Sequence, residues 1–260
     1  MIYDADTWIG HWPFRSLPKK SAADLLREMD KHGIDKALVA SLHGLFYTDA
    51  HEANRELVKE IRRSRDRLVP CAVINPAYYG WQQDLRQCRE EFGMPVVRLT
   101  PDYHNYPVQR AAAIVEAAHE LKMLVAFVGR VIDTRGRNWL DPGREAKGDE
   151  LAALIEKYPK ASFLLLNFAE APQGKRWDKP ACFLDTVRFQ GGNGERMPRA
   201  LEKYGPDRLV FGSTLLLRYA KPALLALEVA PLTKTQRERI LWRNLAGLIP
   251  ELRRVTAASR

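Results

Sequence analysis

The stretch Tyr204-Gly-Pro-Asp-Arg-Leu-Val-Phe-Gly-Ser-Thr214 decides how the whole chain is interpreted. Its pattern predicts a helix that ends at Tyr204, a turn at Gly205-Pro206 and a short buried strand over Arg208–Gly212. A parallel strand that opens on a turn and ends on Gly-Ser is typical of a closed barrel, in which the loops after the strands carry function. We therefore expect the chemistry to lie just past this strand, near Thr214.

Outward from this stretch, strand and helix patterns alternate along the chain. Helical patterns separate the strands except over Glu170–Pro180, which has no helical periodicity. This order predicts the α/β class, as a single (β/α)8 TIM barrel over residues 1–250 followed by a basic tail over residues 251–260. The eight predicted strands are Ile2–Trp8, Lys36–Ser41, Leu68–Ile74, Val96–Leu99, Met123–Val128, Ser162–Asn167, Cys182–Val187 and Arg208–Gly212.

The composition limits the class of protein. A chain of 260 residues with 46% hydrophobic residues can bury one substantial core. Its apolar stretches are short and interrupted by charge, so we expect no membrane span and no membrane partner. The cysteines Cys71, Cys88 and Cys182 are odd in number and far apart. This favours buried free thiols and, by default, a cytoplasmic location.

The net charge bears on the partners. Lys and Arg number 41 against 32 Asp and Glu, a formal net charge of +9. Basic chains can bind nucleic acid, but these charges are scattered and no zinc-finger, helix-turn-helix or aromatic RNA-binding pattern accompanies them. We therefore expect no nucleic-acid partner, and we expect a small anionic molecule as the ligand. The sequence leaves the oligomeric state open, with a homo-oligomer as one option.

Several segments together resemble one known family, the amidohydrolase-related branch of the amidohydrolase superfamily, whose members are metal-dependent hydrolases, decarboxylases and lactonases. The resemblance covers most of the chain and implies a TIM barrel with its active site at the carboxyl ends of the strands. Besides the opening stretch, it rests on Asp4-Ala-Asp6-Thr-Trp8-Ile-Gly10, Val97-Arg-Leu-Thr-Pro101, Leu164-Leu-Leu-Asn167 and Ile240-Leu-Trp-Arg-Asn244-Leu-Ala246.

The metal ligands that the resemblance implies are replaced in this chain. The family opens on Asp-x-His-x-His-x-Gly, and its two histidine places hold Asp6 and Trp8 here. The family's His after strand six is Asn167, and its Asp after strand eight is Thr214. Trp cannot bind a metal, Asn is a poor ligand for a soft divalent ion, and one carboxylate does not hold zinc. We therefore expect no metal and no other cofactor.

The polar residues at the strand ends define a candidate site. Period two places Asp6 and Trp8 on one strand face, where Trp8 either forms an aromatic wall for a ligand or fills the volume of a lost site. The candidate catalytic residues are Asp6, His43 and Asp185. The candidate substrate-binding residues are Trp8, Arg98, Tyr103, His104, Arg130, Asn167 and Thr214.

The two candidate arginines allow two interpretations. Arg98 points into the barrel if its strand neighbours pack outward, and Arg130 follows the next strand. Guanidinium groups suit bidentate recognition of a carboxylate, which favours a small carboxylate ligand. The alternative is that they pair with internal acids such as Asp6 or Asp185.

Two functions compete at this stage. One is a metal-independent hydrolase, similar to a lactonase or decarboxylase, that acts on a small carboxylate-bearing substrate. In it Asp6 or Asp185 would be the base, and Arg98, Arg130 or His43 would polarise the carbonyl. The other is a catalytically inactive barrel that serves as a ligand-binding or assembly module, because the ligand positions are lost while the scaffold motifs remain. The sequence leaves the activity open.

Overall fold

The computed structural model describes residues 1–172, 182–191 and 194–253, and its eight parallel strands follow one another in chain order around one sheet. The sheet closes where the Ala5 N–H donates to the Phe211 carbonyl at 2.9 Å and Thr7 pairs with Leu215. The predicted barrel is confirmed. Its strands are β1 Tyr3–Ile9, β2 Lys36–Ser41, β3 Leu68–Val73, β4 Val96–Leu99, β5 Leu124–Val128, β6 Phe163–Leu166, β7 Cys182–Asp185 and β8 Leu209–Val210.

Helices cover the outside of the sheet. The first begins at the predicted N-cap Ser21, which forms a capping box with Asp24, and ends at the left-handed Gly33. Most of Glu170–Pro180, which is predicted without a helix, lies outside the described residues. The helices are α1 Ala22–His32, α2 Ala50–Ile61, α3 Trp81–Glu90, α4 Ala112–Glu120, α5 Gly148–Lys157, α6 Arg196–Tyr204, α7 Ala220–Val229, α8 Lys234–Glu238 and α9 Asn244–Leu248.

The core has two layers, one inside the barrel and one between the sheet and the helices. Strand β2 shows the division, since Leu38 and Ala40 pack with the interior cluster while Ala37 and Val39 pack in the outer one. Both faces of such strands are buried, which explains why their sequences are nearly continuous apolar runs. No helix in the described part of the chain is both long and apolar enough to cross a membrane.

The predicted basic tail begins with residues that pack on the barrel. Leu252 is buried, and its carbonyl accepts a hydrogen bond from Lys36 Nζ at 3.1 Å. Glu251 forms an ion pair with Arg89 of α3 at 2.8 Å. Residues 251 and 252 therefore contact the barrel, and residues 254–260 lie outside the description.

Gly212 is required by the close approach of β7. A Cβ added at this position would lie 2.9 Å from both the Cβ and the Oδ2 of the buried Asp185. We expect Gly212→Ala to lower the free energy of unfolding by about 1–3 kcal/mol, because a packed side chain would have to move. Chemical denaturation measures this, with Gly247→Ala as the control, since a Cβ at Gly247 meets no atom within 4 Å. Equal stability of the two variants would contradict this explanation.

Candidate functional site at the barrel mouth

Asp6 lies at the centre of a buried polar cluster at the carboxyl end of the barrel. Its Oδ1 accepts hydrogen bonds from Trp8 Nε1 at 2.9 Å and Arg98 Nη1 at 3.1 Å, and its Oδ2 accepts one from Thr214 Oγ1 at 2.9 Å. All four side chains are buried. Both carboxylate oxygens are therefore occupied by N–H or O–H donors from the protein.

Arg98 is held by the protein itself. Besides its bond to Asp6, its Nη1 donates to the Thr7 carbonyl at 3.1 Å, and its Nη2 donates to the carbonyls of Ala5 at 3.1 Å and Leu38 at 3.0 Å. The internal pairing that the sequence left open is therefore what the structure shows. Arg98 was predicted to bind substrate. Its Nε has no hydrogen-bond partner among the described residues.

Trp8 completes this cluster. Its ring lies 4.7 Å from the Arg98 guanidinium carbon, within the range of a cation–π interaction. The side chain is fully buried. Trp8 thus fills volume and orients the Asp6 carboxylate, rather than forming an open aromatic wall.

The residues around Asp6 do not fit the metal that the resemblance implies. A metal ion binds lone pairs, whereas Trp8 and Thr214 present hydrogens to Asp6 and Arg98 adds a positive charge. In the described parts of the chain, no group of three or more His, Cys, Asp or Glu side chains is placed to hold a metal ion. We therefore derive no metal-dependent step at this site.

Two non-glycine residues at strand ends adopt the left-handed backbone conformation. Thr214 has φ 55° and Asn167 has φ 56°, and the conformation is uncommon for a β-branched residue. Contacts of both side chains hold them there, since Thr214 bonds Asp6 and Asn167 Nδ2 donates to the Arg130 carbonyl at 2.8 Å. Such strain clusters at functional sites.

Asp4 joins β1 to the loop after β8. It accepts hydrogen bonds from the backbone N–H groups of Asp6 at 3.0 Å and Ser213 at 3.1 Å, and from the Ser213 hydroxyl. Burial raises the pKa of Asp4 to about 7, although these donors oppose the shift. Asp4 is thus a structural carboxyl group whose charge changes near neutral pH.

Asp185 lies fully buried at the end of β7. Its Oδ1 accepts the Asn167 N–H at 3.0 Å, while its Oδ2 has no partner in the described residues. Burial, and then the negative charge of Asp6, raise the pKa of Asp185 well above its usual range. A raised pKa favours the protonated form, and the role of base that the sequence suggests for Asp185 stays a prediction.

Three arginines meet at the mouth from the loops that follow β5, β7 and β8, namely Arg130, Arg188 and Arg218. Arg130 and Arg188 share the carboxylate of Glu145, and burial and then the positive charges of Arg188 and Arg218 lower the pKa of Arg130. Each has one buried nitrogen without a partner in the described residues. These are Nε of Arg130, Nη1 of Arg188 and Nη2 of Arg218.

Two carboxylates face these three arginines. Glu145 lies 2.8 Å from Arg188 and 3.4 Å from Arg130, and Asp133 lies 3.5 Å from Arg130. Asp133 also pairs with the exposed Arg135 at 2.9 Å, so Arg130 shares this carboxylate. We call Arg130, Arg188 and Arg218 the arginine cluster. Arg188 and Arg218 were missed by the sequence analysis, although both follow predicted strands closely.

His43 was predicted as a catalytic residue, but its ring is engaged at the rim of the barrel. Its Nε2 accepts the His11 N–H at 3.0 Å, and its Nδ1 lies 2.8 Å from Glu56 on α2. A Cβ at Gly10, where φ is +109°, would lie 3.1 Å from this ring, which explains the glycine. In the described residues no hydrogen bond joins His43 to Asp6 or to the arginine cluster.

Tyr103 and His104, both predicted to bind substrate, fix the loop after β4. His104 Nε2 lies 2.8 Å from the Gly44 carbonyl. The Tyr103 ring packs edge-on against Trp12 and Phe46, with centroids 6.2 and 5.6 Å away. The structure thus brings together Asp6, Trp8, Arg98 and Thr214 in one cluster and places Asp185, Asn167 and Arg130 in a second, while His43, Tyr103 and His104 belong to other contacts.

Solved structures share this barrel over nearly its whole length. A 5-carboxyvanillate decarboxylase from Sphingomonas paucimobilis aligns with a TM-score of 0.71 at 12% identity, over 96% of this chain and 98% of that one. A dihydroxybenzoic acid decarboxylase from Polaromonas, with bound manganese and 2-nitroresorcinol, aligns at 0.71 and 17%, over 98% of both chains. A proposed 2-pyrone-4,6-dicarboxylic acid hydrolase from Pseudomonas putida aligns at 0.66 and 16%, over 96% and 97%.

These structural similarities show the fold of the chain. They are to proteins described as two decarboxylases and one hydrolase. At such identities they show a common barrel architecture, and the activity has to be argued from the site. No family model and no curated protein sequence matches the chain.

Proposed function

We propose that this chain binds a small organic carboxylate at the arginine cluster, without a metal ion. The observation that carries the proposal is that three neighbouring guanidinium groups each keep a buried N–H nitrogen without a partner in the described residues. A buried donor that bonds neither protein nor water costs about 1–3 kcal/mol, and more when it is charged. A ligand carboxylate would accept these bonds.

The chemistry of the cluster around Asp6 supports a role that does not need a metal. Arg98, Trp8 and Thr214 already satisfy the Asp6 carboxylate, so the anion would be bound by guanidinium groups. The three similar proteins are each named for a carboxylic acid, which agrees with the proposed class of ligand.

A second candidate function, metal-independent hydrolysis of a lactone or a related C–O or C–N bond, is favoured by Asp185. Its Oδ2 has no partner in the described residues, and burial together with the charge of Asp6 raises its pKa, which favours the protonated form. It would protonate the departing oxygen or nitrogen while water adds to the carbonyl carbon, and its carboxylate would then take up the proton that the added water releases. Asp6 is less suited to the role of base than a free carboxylate, because it accepts three hydrogen bonds and pairs with Arg98.

Calorimetric titration with benzoate and 5-carboxyvanillate tests the binding. We expect Arg130→Gln and Arg218→Gln to weaken it about ten- to a hundredfold, the loss that follows removal of a charged hydrogen bond. The exposed Arg62→Gln removes the same charge elsewhere and should leave the affinity unchanged. Carboxylate binding that survives equally in all three variants would contradict the proposal, as would the absence of any bound carboxylate.

The hydrolase candidate is distinguished by turnover. Asp185→Asn keeps the shape and removes the acid, so lactone hydrolysis should be lost while carboxylate binding remains. If the parent protein turns over no lactone or ester, the binding function stands without the catalytic one.

A further inference from the structure

A groove of about 300 Å³ lies between α6 and the loops that follow β6 and β7. Four cationic side chains line it, namely Arg188 from the arginine cluster and Arg196, Arg199 and Lys203 from α6. Arg130, Arg218 and Asp6 do not line it, so the groove is distinct from the site proposed above. Arg188 is the residue common to both.

The helix positions its three cations on one face. Arg196, Arg199 and Lys203 are spaced i, i+3 and i+7, which places their side chains along one side of an α-helix. The side chains of Arg199 and Lys203 are 77% and 52% exposed. Their charged ends can therefore converge on a ligand that enters from solvent.

Three of the four lining cations have a carboxylate partner, and for Arg188 it is Glu145 at 2.8 Å. Arg199 pairs with the exposed Glu195 at 2.6 Å, and Lys203 lies 3.8 Å from Glu170. Arg196 forms no ion pair within the described residues. Exposed ion pairs contribute little to stability, and a more highly charged anion readily replaces them. The lining itself holds four cations and, as its acid, Glu170.

The floor of the groove is apolar. The rings of Phe189 and Tyr204 lie 6.2 Å apart, and Ala200 between the cationic positions of α6 is buried. A ligand in the groove would meet positive charge along one wall and aromatic surface beneath it.

We propose that this groove binds a phosphate monoester. A phosphate dianion offers three acceptor oxygens and two negative charges, which match several converging Arg and Lys donors better than one carboxylate does. Arg196, Arg199 and Lys203 would hold the phosphate, and the organic part would rest on Phe189 and Tyr204. This site is a second one and does not rest on the proposed carboxylate function.

Calorimetric titration with phenyl phosphate at low ionic strength tests the site. We expect the double variant Arg199→Gln, Lys203→Gln to weaken binding about tenfold or more, since two charged donors are lost. The variant Lys31→Gln, Lys59→Gln removes the same charge from exposed positions on α1 and α2 and is expected to bind like the parent. Arg130→Gln should also bind phenyl phosphate like the parent, while losing benzoate.

Three results would overturn the phosphate site. The first is no binding of phenyl phosphate to the parent protein, and the second is an equal loss in the groove variant and its charge-matched control. The third is loss on Arg130→Gln but not in the groove variant, which would place the phosphate at the mouth. None of them bears on benzoate binding, so the two proposals fail separately.

Discussion

Replacing Arg98 with methionine is expected to lower the free energy of unfolding by about 3–5 kcal/mol, the usual loss when one partner of a buried ion pair is removed. The Arg98 side chain is fully buried and lies 3.1 Å from Asp6, which is also buried. Methionine would leave the Asp6 carboxylate without its charge partner and would remove one donor from each of the carbonyls of Ala5, Thr7 and Leu38.

Chemical denaturation of the parent and variant proteins measures this loss. The exposed Arg62→Met is the control and should change stability by less than about 0.5 kcal/mol. The double variant Asp6→Asn, Arg98→Met should regain part of the loss, because the unpaired charge is gone. Unchanged stability in Arg98→Met, together with lost carboxylate binding, would mean that Arg98 holds the ligand instead.

The second large effect is a loss of stability with rising pH that depends on Asp4. The pKa of this buried carboxyl is raised from 3.8 to about 7 in the folded protein. As the pH rises between these values, the unfolded chain has released the proton while the folded protein still binds it, so stability falls. The quantity to compare is the stability difference, the unfolding free energy of the parent minus that of Asp4→Asn. We expect this difference to fall by up to about 4 kcal/mol between about pH 4 and about pH 8.

Taking this difference removes the titration of other groups. His104 acts in the opposite direction, since burial lowers its pKa and its contribution to stability is lost as the pH falls. Asp24→Asn is the matched control, because the backbone N–H groups of Lys20 and Ser21 hold the pKa of Asp24 well below its usual range. The unfolding free energy of the parent minus that of Asp24→Asn should not change with pH above about pH 5. A flat difference for Asp4 would show that its three donors keep it ionised.

The strands could be predicted to within a residue or two, because burial on both sheet faces produces apolar runs that a sequence displays directly. The eighth strand is shorter than predicted, Leu209–Val210 rather than Arg208–Gly212, since Pro206–Arg208 forms a 3-10 turn. Gly212 was recognised as part of a motif, but the approach of Asp185 that requires it belongs to a different strand and was not visible.

The site was harder to predict, because side-chain partners depend on loops and backbone. Period two placed Asp6 and Arg98 in the barrel interior and left their pairing as one of two alternatives. The carbonyl acceptors of Arg98, however, are backbone atoms. Every residue has a backbone carbonyl, so the residue types do not reveal which ones bind Arg98. Arg188 and Arg218 lie in loops, where periodicity gives no direction. His43 follows β2 as predicted, yet its ring turns to Glu56 on α2.

The hydrogen bonds of Arg98, Asp4 and Asp6 predict how the barrel would behave if the chain were cut into two fragments. A cut before β4 would leave Asp4 and Asp6 on the first fragment, and Arg98, Ser213 and Thr214 on the second. Each fragment would hold buried polar groups whose partners lie on the other, so neither would fold alone. Mixed together, the fragments would restore these bonds, and recovery of structure would depend on both being present.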